Sequence, residues 1–211
     1  MTDQDQSSTA KLQVFRKAFQ AYVTRPIVFL LEKARVTPNT VTFFGLVLII
    51  AAAVLAGTGH LFAAGWMVLA ASLCDMFDGA LARHIHKVTR FGGILDSSLD
   101  RLSEATILIG LIAYYLFYNT SSYKQWLILL IAVTMIASFL VSYIRARAEA
   151  LHIECQVGIF TRPERVIILA LGLLMNGLPY VLTAALAIIA LLSIVTVIQR
   201  LIYVYQRTKE G

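Results

Sequence analysis

Four aspartates lie close together in this sequence, between two long apolar segments. Asp75 and Asp78 are three residues apart, so a helix would place both on one face. Asp96 and Asp100, four residues apart, would share a face of a second helix. Four carboxylates in apolar surroundings repel one another unless cations neutralise them. Carboxylate oxygens suit magnesium, manganese or calcium, and a pair of such ions promotes displacement at phosphorus.

These aspartates belong to a chain that is too apolar for an ordinary soluble domain. Of its 211 residues, 59% are hydrophobic and 14% are charged, whereas soluble domains carry roughly 25% charged residues. Several apolar runs reach the length of about 18 residues that can span a bilayer. The sequence therefore predicts an all-α polytopic membrane protein with about six transmembrane helices. The predicted spans are Val41–Ala56, Leu61–Ala82, Ile94–Tyr118, Trp126–Ala148, Val166–Met175 and Val181–Tyr205.

The predicted transmembrane catalytic domain covers residues 37–206 and is flanked by shorter segments. Residues 1–10 are polar and predicted to be disordered, and residues 207–211 form a C-terminal tail. Residues 11–36 mix basic, aromatic and aliphatic side chains. This mixture favours an amphipathic helix region at the membrane interface over a soluble helix packed on the bundle.

The segment VTPNTVT marks the start of the first span. Pro38 cannot continue the preceding helix and is expected to end it. Asn39 or Thr40 is then predicted to cap the first transmembrane helix, because their side chains can accept hydrogen bonds from its free N–H groups.

Basic residues are distributed unevenly among the predicted loops. The loops GTGH, NTSSYK and NGLPY contain a single lysine. Because lysine and arginine concentrate in cytoplasmic loops, both termini and the aspartates are predicted to face the cytoplasm from a multi-pass protein of the cell membrane. The net charge of +6 then indicates anionic headgroups rather than nucleic acid. The basic residues of the other connections and the C-terminal end are Arg83, Lys87, Arg90, Arg145, Arg147, Arg162, Arg165, Arg200, Arg207 and Lys209.

Small residues accompany the aspartates. Gly79 shares a helical face with Asp75, and Gly92 and Gly93 stand at the entrance of the third span. Glycine within a helix costs roughly 0.5–1 kcal/mol relative to alanine, so it needs a reason. Close helix packing is one explanation. Beside four carboxylates, room for a bound ligand is the explanation that we favour.

The aspartates and small residues together resemble the signature of the CDP-alcohol phosphotransferases. The matching pattern is Asp75-x-x-Asp78-Gly79-x-x-Ala82-Arg83, eight residues, Gly92-x-x-x-Asp96-x-x-x-Asp100. The resemblance implies a transfer from a CDP-linked lipid to an alcohol, with release of CMP. It also implies two divalent cations, with Mg²⁺ favoured over Mn²⁺, and a homodimer in the membrane.

The resemblance assigns a role to each matching position. Asp75, Asp78 and Asp96 would bind the two metal ions. Asp100 would contribute to the second ion and act as the catalytic base that takes a proton from the acceptor hydroxyl. The residues implied to contact the CDP-lipid are Thr37, Pro38, Asn39, Thr40, Gly79, Ala82, Arg83 and Thr89.

The second half of the chain concerns the acceptor. Five arginines there suit the recognition of an anion, although any single one is equally explained by cytoplasmic charge near headgroups. The segments RARAE, RPER and QR resemble phosphatidylinositol-phosphate synthases, whose acceptor is inositol phosphate. The residues implied to bind the acceptor phosphate are Ser142, Arg145, Arg165 and Arg200.

Alternative functions remain at this point. LDSSLDR departs from the LDPxADK pattern of glycerol-phosphate-accepting relatives, which makes phosphatidylglycerol-phosphate synthase the second choice. Prenyltransferases favour DDxxD sites, and an ion-coupled transporter would place its acids near the midplane in two repeated halves. The donor lipid is either CDP-diacylglycerol or an archaeal ether equivalent.

Overall fold

The computed structural model describes residues 24–85 and 89–209, and all regular structure in these residues is helical. Residues 1–23, which include most of the predicted interfacial region, lie outside the described residues, as do residues 86–88, 210 and 211. The seven described helices are α1 (Arg25–Lys33), α2 (Pro38–Gly57), α3 (Leu61–His84), α4 (Arg90–Phe117), α5 (Lys124–Ala150), α6 (Arg162–Leu174) and α7 (Val181–Lys209).

Helices α2 to α7 correspond one to one with the six predicted spans. Four of them, α2, α3, α5 and α7, are long and apolar enough to cross a membrane. Helix α4 is 28 residues long, but its first 15 residues include Asp96, Asp100, Arg101 and Glu104. Helix α6 has only 13 residues, which is shorter than the about 17 residues that a span requires.

The cap of α2 corrects one prediction. Thr37, rather than Asn39 or Thr40, is the N-cap residue, with extended backbone, and its hydroxyl accepts a hydrogen bond from the Thr40 N–H at 3.3 Å. The reason is that Pro38 already occupies the first helical position, where its fixed φ suits the helix and its missing N–H costs nothing.

Helix α1 rests on the bundle with one side and exposes the other. Val28 is buried against Val41 and Leu81. Phe29 and Leu30 on the other side are exposed by 63% and 71%. The helix is thus packed on the bundle while it keeps an exposed apolar face.

The bundle is held by two groups of helices. Helix α2 packs against α3 and α4, α5 packs against α7, and α6 joins the groups by packing on both α3 and α7. The contact of α2 with α4 is very close, because a Cβ on Gly110 would lie 2.4 Å from the carbonyl oxygen of Ala53. The main core contains fully buried Leu108, Ile131 and Leu186.

Candidate active site

The structure brings the four aspartates together on α3 and α4. Asp78 lies close enough to Asp75 and Asp96 for their charges to interact. Asp100 interacts in the same way with Asp75 and Asp96. Within residues 24–85 and 89–209, however, no three histidine, cysteine, aspartate or glutamate side chains are arranged to hold a metal ion. The carboxylates are neighbours, but they do not converge on one point.

An arginine from α6 lies between two of these carboxylates. Arg162 Nη2 is 2.7 Å from Asp75 Oδ2, and Arg162 Nη1 is 2.6 Å from Asp100 Oδ1. The guanidinium therefore links α3 to α4. Burial alone would lower the pKa of Arg162, but the charges of Asp100 and Asp75 raise it above its ordinary value.

Asp78 is held by the start of α2. Its side chain is buried, and its Oδ2 accepts a hydrogen bond from the Thr42 hydroxyl at 2.6 Å. Thr42 lies one turn after Pro38, whose carbonyl oxygen is 3.1 Å from the same hydroxyl. This contact ties the TPNT segment to the carboxylate cluster.

A first cavity opens beside Asp78, between the starts of α2 and α4 and the end of α3. It contains seven of the eight residues expected to contact the CDP-lipid; Thr40 is absent from its lining and instead bonds the Thr37 hydroxyl at 2.8 Å. The residues that line the first cavity are Thr37, Pro38, Asn39, Thr42, Asp78, Gly79, Ala82, Arg83, Thr89, Gly92, Gly93 and Asp96.

The small residues keep the first cavity open. A Cβ on Gly79 would lie 3.4 Å from Nη1 of Arg83, and a Cβ on Gly93 would meet nothing within 4 Å. Gly92 packs against its own helix cap, because its N–H donates to the Thr89 hydroxyl at 2.9 Å. Gly93 therefore borders open space, and Gly79 is covered only by the flexible side chain of Arg83 rather than by another helix.

A second cavity lies on the other side of Asp100, among α4, α5, α6 and α7. It contains all four residues expected to bind the acceptor phosphate. Five arginines face two acids in its lining, so an anion would be favoured there. The residues that line the second cavity are Asp100, Arg101, Glu104, Val141, Ser142, Arg145, Thr161, Arg162, Pro163, Arg165 and Arg200.

Two of these arginines are deeply buried. Arg165 is 2% exposed, and its Nε and Nη2 donate to the two carboxylate oxygens of Glu104 at 2.8 and 3.1 Å. Its Nη1 is buried without a protein partner, so one donor remains for a ligand. Arg200 is 3% exposed and donates from Nε to the carbonyl oxygen of Val157 at 2.9 Å and from Nη1 to that of Val141.

Arg145 is placed differently. Its side chain is half-exposed, and its Nε is 2.8 Å from Oε1 of Glu149, one turn further along α5. It lines the second cavity from the rim, where an ion pair contributes little free energy. Ser142 stands one turn before it on the same helix and also lines the cavity.

Sequence reasoning missed Thr42 and Glu104, and it counted Arg162 only among the arginines that suit an anion, not as a partner of the aspartates. Glu104 had a visible signal, because it follows Asp100 by four residues and so continues the same face of α4. The other two contacts join separate helices, and no spacing within one helix reveals them.

Comparison with known proteins identifies relatives over nearly the whole chain. The model of the CDP-alcohol phosphatidyltransferase family matches residues 35–200. The archaetidylinositol phosphate synthase of Methanothermobacter thermautotrophicus is 38% identical over 90% of this chain and 94% of its own length. The phosphatidylinositol phosphate synthase of Mycobacteroides abscessus is 38% identical over 86% of this chain and 83% of its own length.

Comparison with solved structures finds the same kind of protein. The crystal structure of Mycobacterium tuberculosis phosphatidylinositol phosphate synthase with CDP-DAG bound superposes with a TM-score of 0.79 at 34% identity. The match covers 87% of this chain and 94% of that one. A second structure of the same protein, in complex with manganese and citrate, has the same TM-score and covers 87% of this chain and 89% of that one.

Proposed function

The chain belongs to the CDP-alcohol phosphatidyltransferase family, and we propose that it transfers a phosphatidyl-type group from a CDP-linked lipid to inositol phosphate. CMP is the second product. The observation that carries this proposal is that two cavities adjoin one carboxylate cluster. Asp78 and Asp96 line the first cavity, and Asp100 lines the second.

The carboxylate cluster has the donor chemistry for a pair of divalent cations, although among the described residues no three acidic side chains converge on one point. Asp75, Asp78, Asp96 and Asp100 offer hard oxygen donors, which Mg²⁺ and Mn²⁺ prefer. The guanidinium of Arg162 between two of them shows that the cluster attracts positive charge. When bound, such ions neutralise the diphosphate and favour displacement at phosphorus. Manganese in the structure of a relative supports this assignment.

The first cavity is proposed to bind the CDP part of the donor lipid. Thr37 and Asn39 offer polar side chains at its wall, and Arg83 supplies a positive charge next to Gly79. Thr40 supports this wall through its hydrogen bond with Thr37. The CDP-DAG complex of the mycobacterial relative supports a nucleotide lipid as the ligand.

Asp100 is proposed to act as the base. Its carboxylate takes the proton of the acceptor hydroxyl while that oxygen forms a bond to the lipid-side phosphorus. The bond from this phosphorus to the bridging oxygen breaks, and CMP leaves with that oxygen. Proton removal by a positioned carboxylate contributes about 10²–10⁴ in rate. Arg83 is placed to balance the charge that develops on the leaving group.

The second cavity is proposed to bind the acceptor phosphate. Arg165 offers its unpartnered Nη1, and Arg200 is fixed by two carbonyl oxygens with its charge in the cavity. Ser142 and Arg145 complete the set at the rim. Of the two relatives at 38% identity, one is an archaetidylinositol phosphate synthase and the other a phosphatidylinositol phosphate synthase, so either lipid donor is consistent with the family.

The proposed setting is a membrane with the site at its cytoplasmic face. Six spans, α2 to α7, cross the bilayer in this proposal, and residues 11–36 lie along the interface. Both termini face the cytoplasm because the basic loops do so. A homodimer is proposed as the assembly.

The test is release of CMP by purified protein with Mg²⁺. CDP-diacylglycerol and its archaeal ether equivalent are each paired with inositol phosphate, glycerol phosphate, serine and inositol. We expect CMP with inositol phosphate and little with the other acceptors. Equal or greater release with glycerol phosphate would move the protein to the phosphatidylglycerol-phosphate branch. No release with any acceptor would contradict the proposed activity.

A further inference from the structure

Arg162 occupies two carboxylates that the proposed function assigns to metal. Its terminal nitrogens lie 2.7 Å from Asp75 and 2.6 Å from Asp100. The guanidinium is mostly buried, with 27% of the side chain exposed, and so are its two partners. A close pair of this kind in a shielded site is a strong electrostatic interaction rather than a solvated surface contact.

A divalent cation and this guanidinium cannot share the same oxygens. Both would compete for Asp75 Oδ2 and Asp100 Oδ1, and their charges repel each other at short distance. A cation that binds through these two oxygens therefore displaces Arg162, and Arg162 in place weakens the affinity for metal.

The Arg162 side chain has a second position available to it, in the second cavity. Its side chain also lines the second cavity, together with Arg165 and Arg200. Its Nε is buried without a hydrogen-bond partner, so the present position leaves one donor unsatisfied. The backbone of Arg162 is fixed as the first residue of α6, and the long side chain can reorient from that point.

We propose that Arg162 is an internal counter-ion that neutralises Asp75 and Asp100 before metal binds and then moves to the acceptor phosphate in the second cavity. This inference rests on the proposed function, because it takes the aspartates as metal ligands. This movement of Arg162 couples the metal-binding aspartates to the second cavity. Metal raises the affinity of the second cavity for an anion, and by reciprocity an anion there raises the affinity for metal.

The first test measures Mn²⁺ binding without substrate, from the electron paramagnetic resonance signal of the free ion. Wild-type protein is compared with Arg162→Gln and with Arg147→Gln, which removes one exposed arginine of α5 outside both cavities. We expect Arg162→Gln to lower the Kd for Mn²⁺ by about fivefold or more, within the usual range of such couplings. We expect Arg147→Gln to leave it unchanged.

The second test titrates the same proteins with inorganic phosphate, with and without Mg²⁺ and with correction for the magnesium–phosphate complex. Mg²⁺ should tighten phosphate binding in the wild type and in Arg147→Gln, and this effect should vanish in Arg162→Gln. An equal effect of Mg²⁺ in all three proteins would overturn the proposed movement into the second cavity.

Failure of this inference differs from failure of the proposed function. Wild-type protein that binds no Mn²⁺ contradicts the metal site itself. Wild-type protein that binds Mn²⁺, with Arg162→Gln no tighter, contradicts only the counter-ion role. If Arg162→Gln does not fold, phenylglyoxal modification of the wild type tests the counter-ion role instead. Reaction at Arg162, followed by mass spectrometry, should increase when Mn²⁺ is added, and an unchanged or lower reactivity would overturn the proposal.

Discussion

Asp100 is the carboxylate that lies between the rest of the aspartate cluster and the second cavity. It interacts with Asp75 and Asp96 on one side and lines the arginine-rich cavity on the other. A carboxylate in this position can remove a proton from an alcohol bound in the second cavity while the donor lipid occupies the first. A purely structural role would predict loss of folding rather than loss of turnover when Asp100 is changed.

Asp100→Asn should separate these two roles. The amide keeps the shape and one oxygen of the side chain but cannot take the proton, so we expect CMP release to fall by about 10²-fold or more. Binding of CDP-diacylglycerol with Mg²⁺ should stay within a few-fold of the wild type. Ser98→Ala, at an exposed position on the same helix, is the control. Normal turnover by Asp100→Asn would show that another group is the base.

A change at Arg165 should weaken binding of the acceptor but not binding of the donor lipid. Arg165→Lys keeps a positive charge beside Glu104 but loses the two coplanar N–H groups that donate to its carboxylate. We expect the KM for inositol phosphate to rise by about tenfold, on the order of one lost charge-assisted hydrogen bond. The KM for the CDP-lipid should change little. Equal increases in both constants would argue for a folding defect.

The sequence identified the residues of this site better than it identified their contacts. The aspartates were predictable because their spacing of three and four residues places each pair on one helical face. The bond of Thr42 to Asp78 spans 36 residues, and that of Arg162 to Asp75 spans 87. Such contacts depend on how separate helices pack, and local periodicity carries no information about that.

At the scale of elements, the close crossing of α2 and α4 holds together two of the helices that border the first cavity. Gly110 lies against the backbone of Ala53, and a Cβ there would be 2.4 Å from a carbonyl oxygen. Gly110→Ala should therefore force the helices apart and destabilise the protein by about 1–3 kcal/mol. Thermal unfolding in detergent measures this effect. Gly177→Ala is the matched control, because nothing lies within 4 Å of its Cβ position. Equal melting temperatures for the two variants would contradict the packing argument.

The start of α6 should make a pH-dependent contribution to stability. Burial raises the pKa of Glu164, but hydrogen bonds from the N–H and hydroxyl of Thr161 outweigh it and hold the pKa below its ordinary value of 4.5. Because the folded-state pKa is lowered, this contribution is present above the unfolded pKa and is lost as the pH falls through the folded pKa.

The measurement compares wild type with Glu164→Gln between about pH 6 and about pH 3. The wild type should be slightly more stable at the upper pH, and the difference should shrink on acidification. The effect should be small because Glu164 is exposed. Curves that stay parallel over the whole range would show that the carboxylate does not stabilise the helix start.

Helix positions were predictable, and helix ends were less so. Apolar length located all six helices of the bundle, since each is bounded by polar or glycine-containing turns. The first cap was assigned to Asn39 or Thr40, but Thr37 forms it because Pro38 takes the first helical position. Helix α4 was predicted to begin at Ile94 but begins at Arg90, because the Thr89 hydroxyl caps it by accepting a hydrogen bond from the Gly92 N–H.

In the molecule as a whole, the helix bundle has apolar sides, and the charged residues of the site lie at one of its ends. Helix α2 exposes Phe43, Val47, Ile50 and Val54 along one side, as a helix that faces lipid requires. The four aspartates and the arginines of the second cavity gather toward the C-terminal ends of α3, α5 and α7 and the starts of α4 and α6. A site at such an end can receive a lipid from the membrane and a water-soluble acceptor from the adjoining solution.

The orientation can be tested with single cysteines in a background without Cys74 and Cys155. A cysteine at Ser122, between α4 and α5, should react with a membrane-impermeant maleimide in intact cells. A cysteine at Glu154, between α5 and α6, should react only after the cells are opened, because its loop joins the arginine-rich end of α5 to the arginine-rich start of α6, which the distribution of basic residues predicts to be cytoplasmic. The opposite pattern would place the site outside the cell.

The central claim is that the carboxylates of α3 and α4 bind the donor lipid through divalent cations. Equilibrium binding of CDP-diacylglycerol to wild type and Asp78→Asn, with Mg²⁺ and with a chelator, tests it most directly. We predict that the wild type binds with Mg²⁺ and loses at least about 1.4 kcal/mol, or tenfold in Kd, both with the chelator and with the Asp78→Asn change. Equally tight binding by the wild type in the chelator would contradict the account.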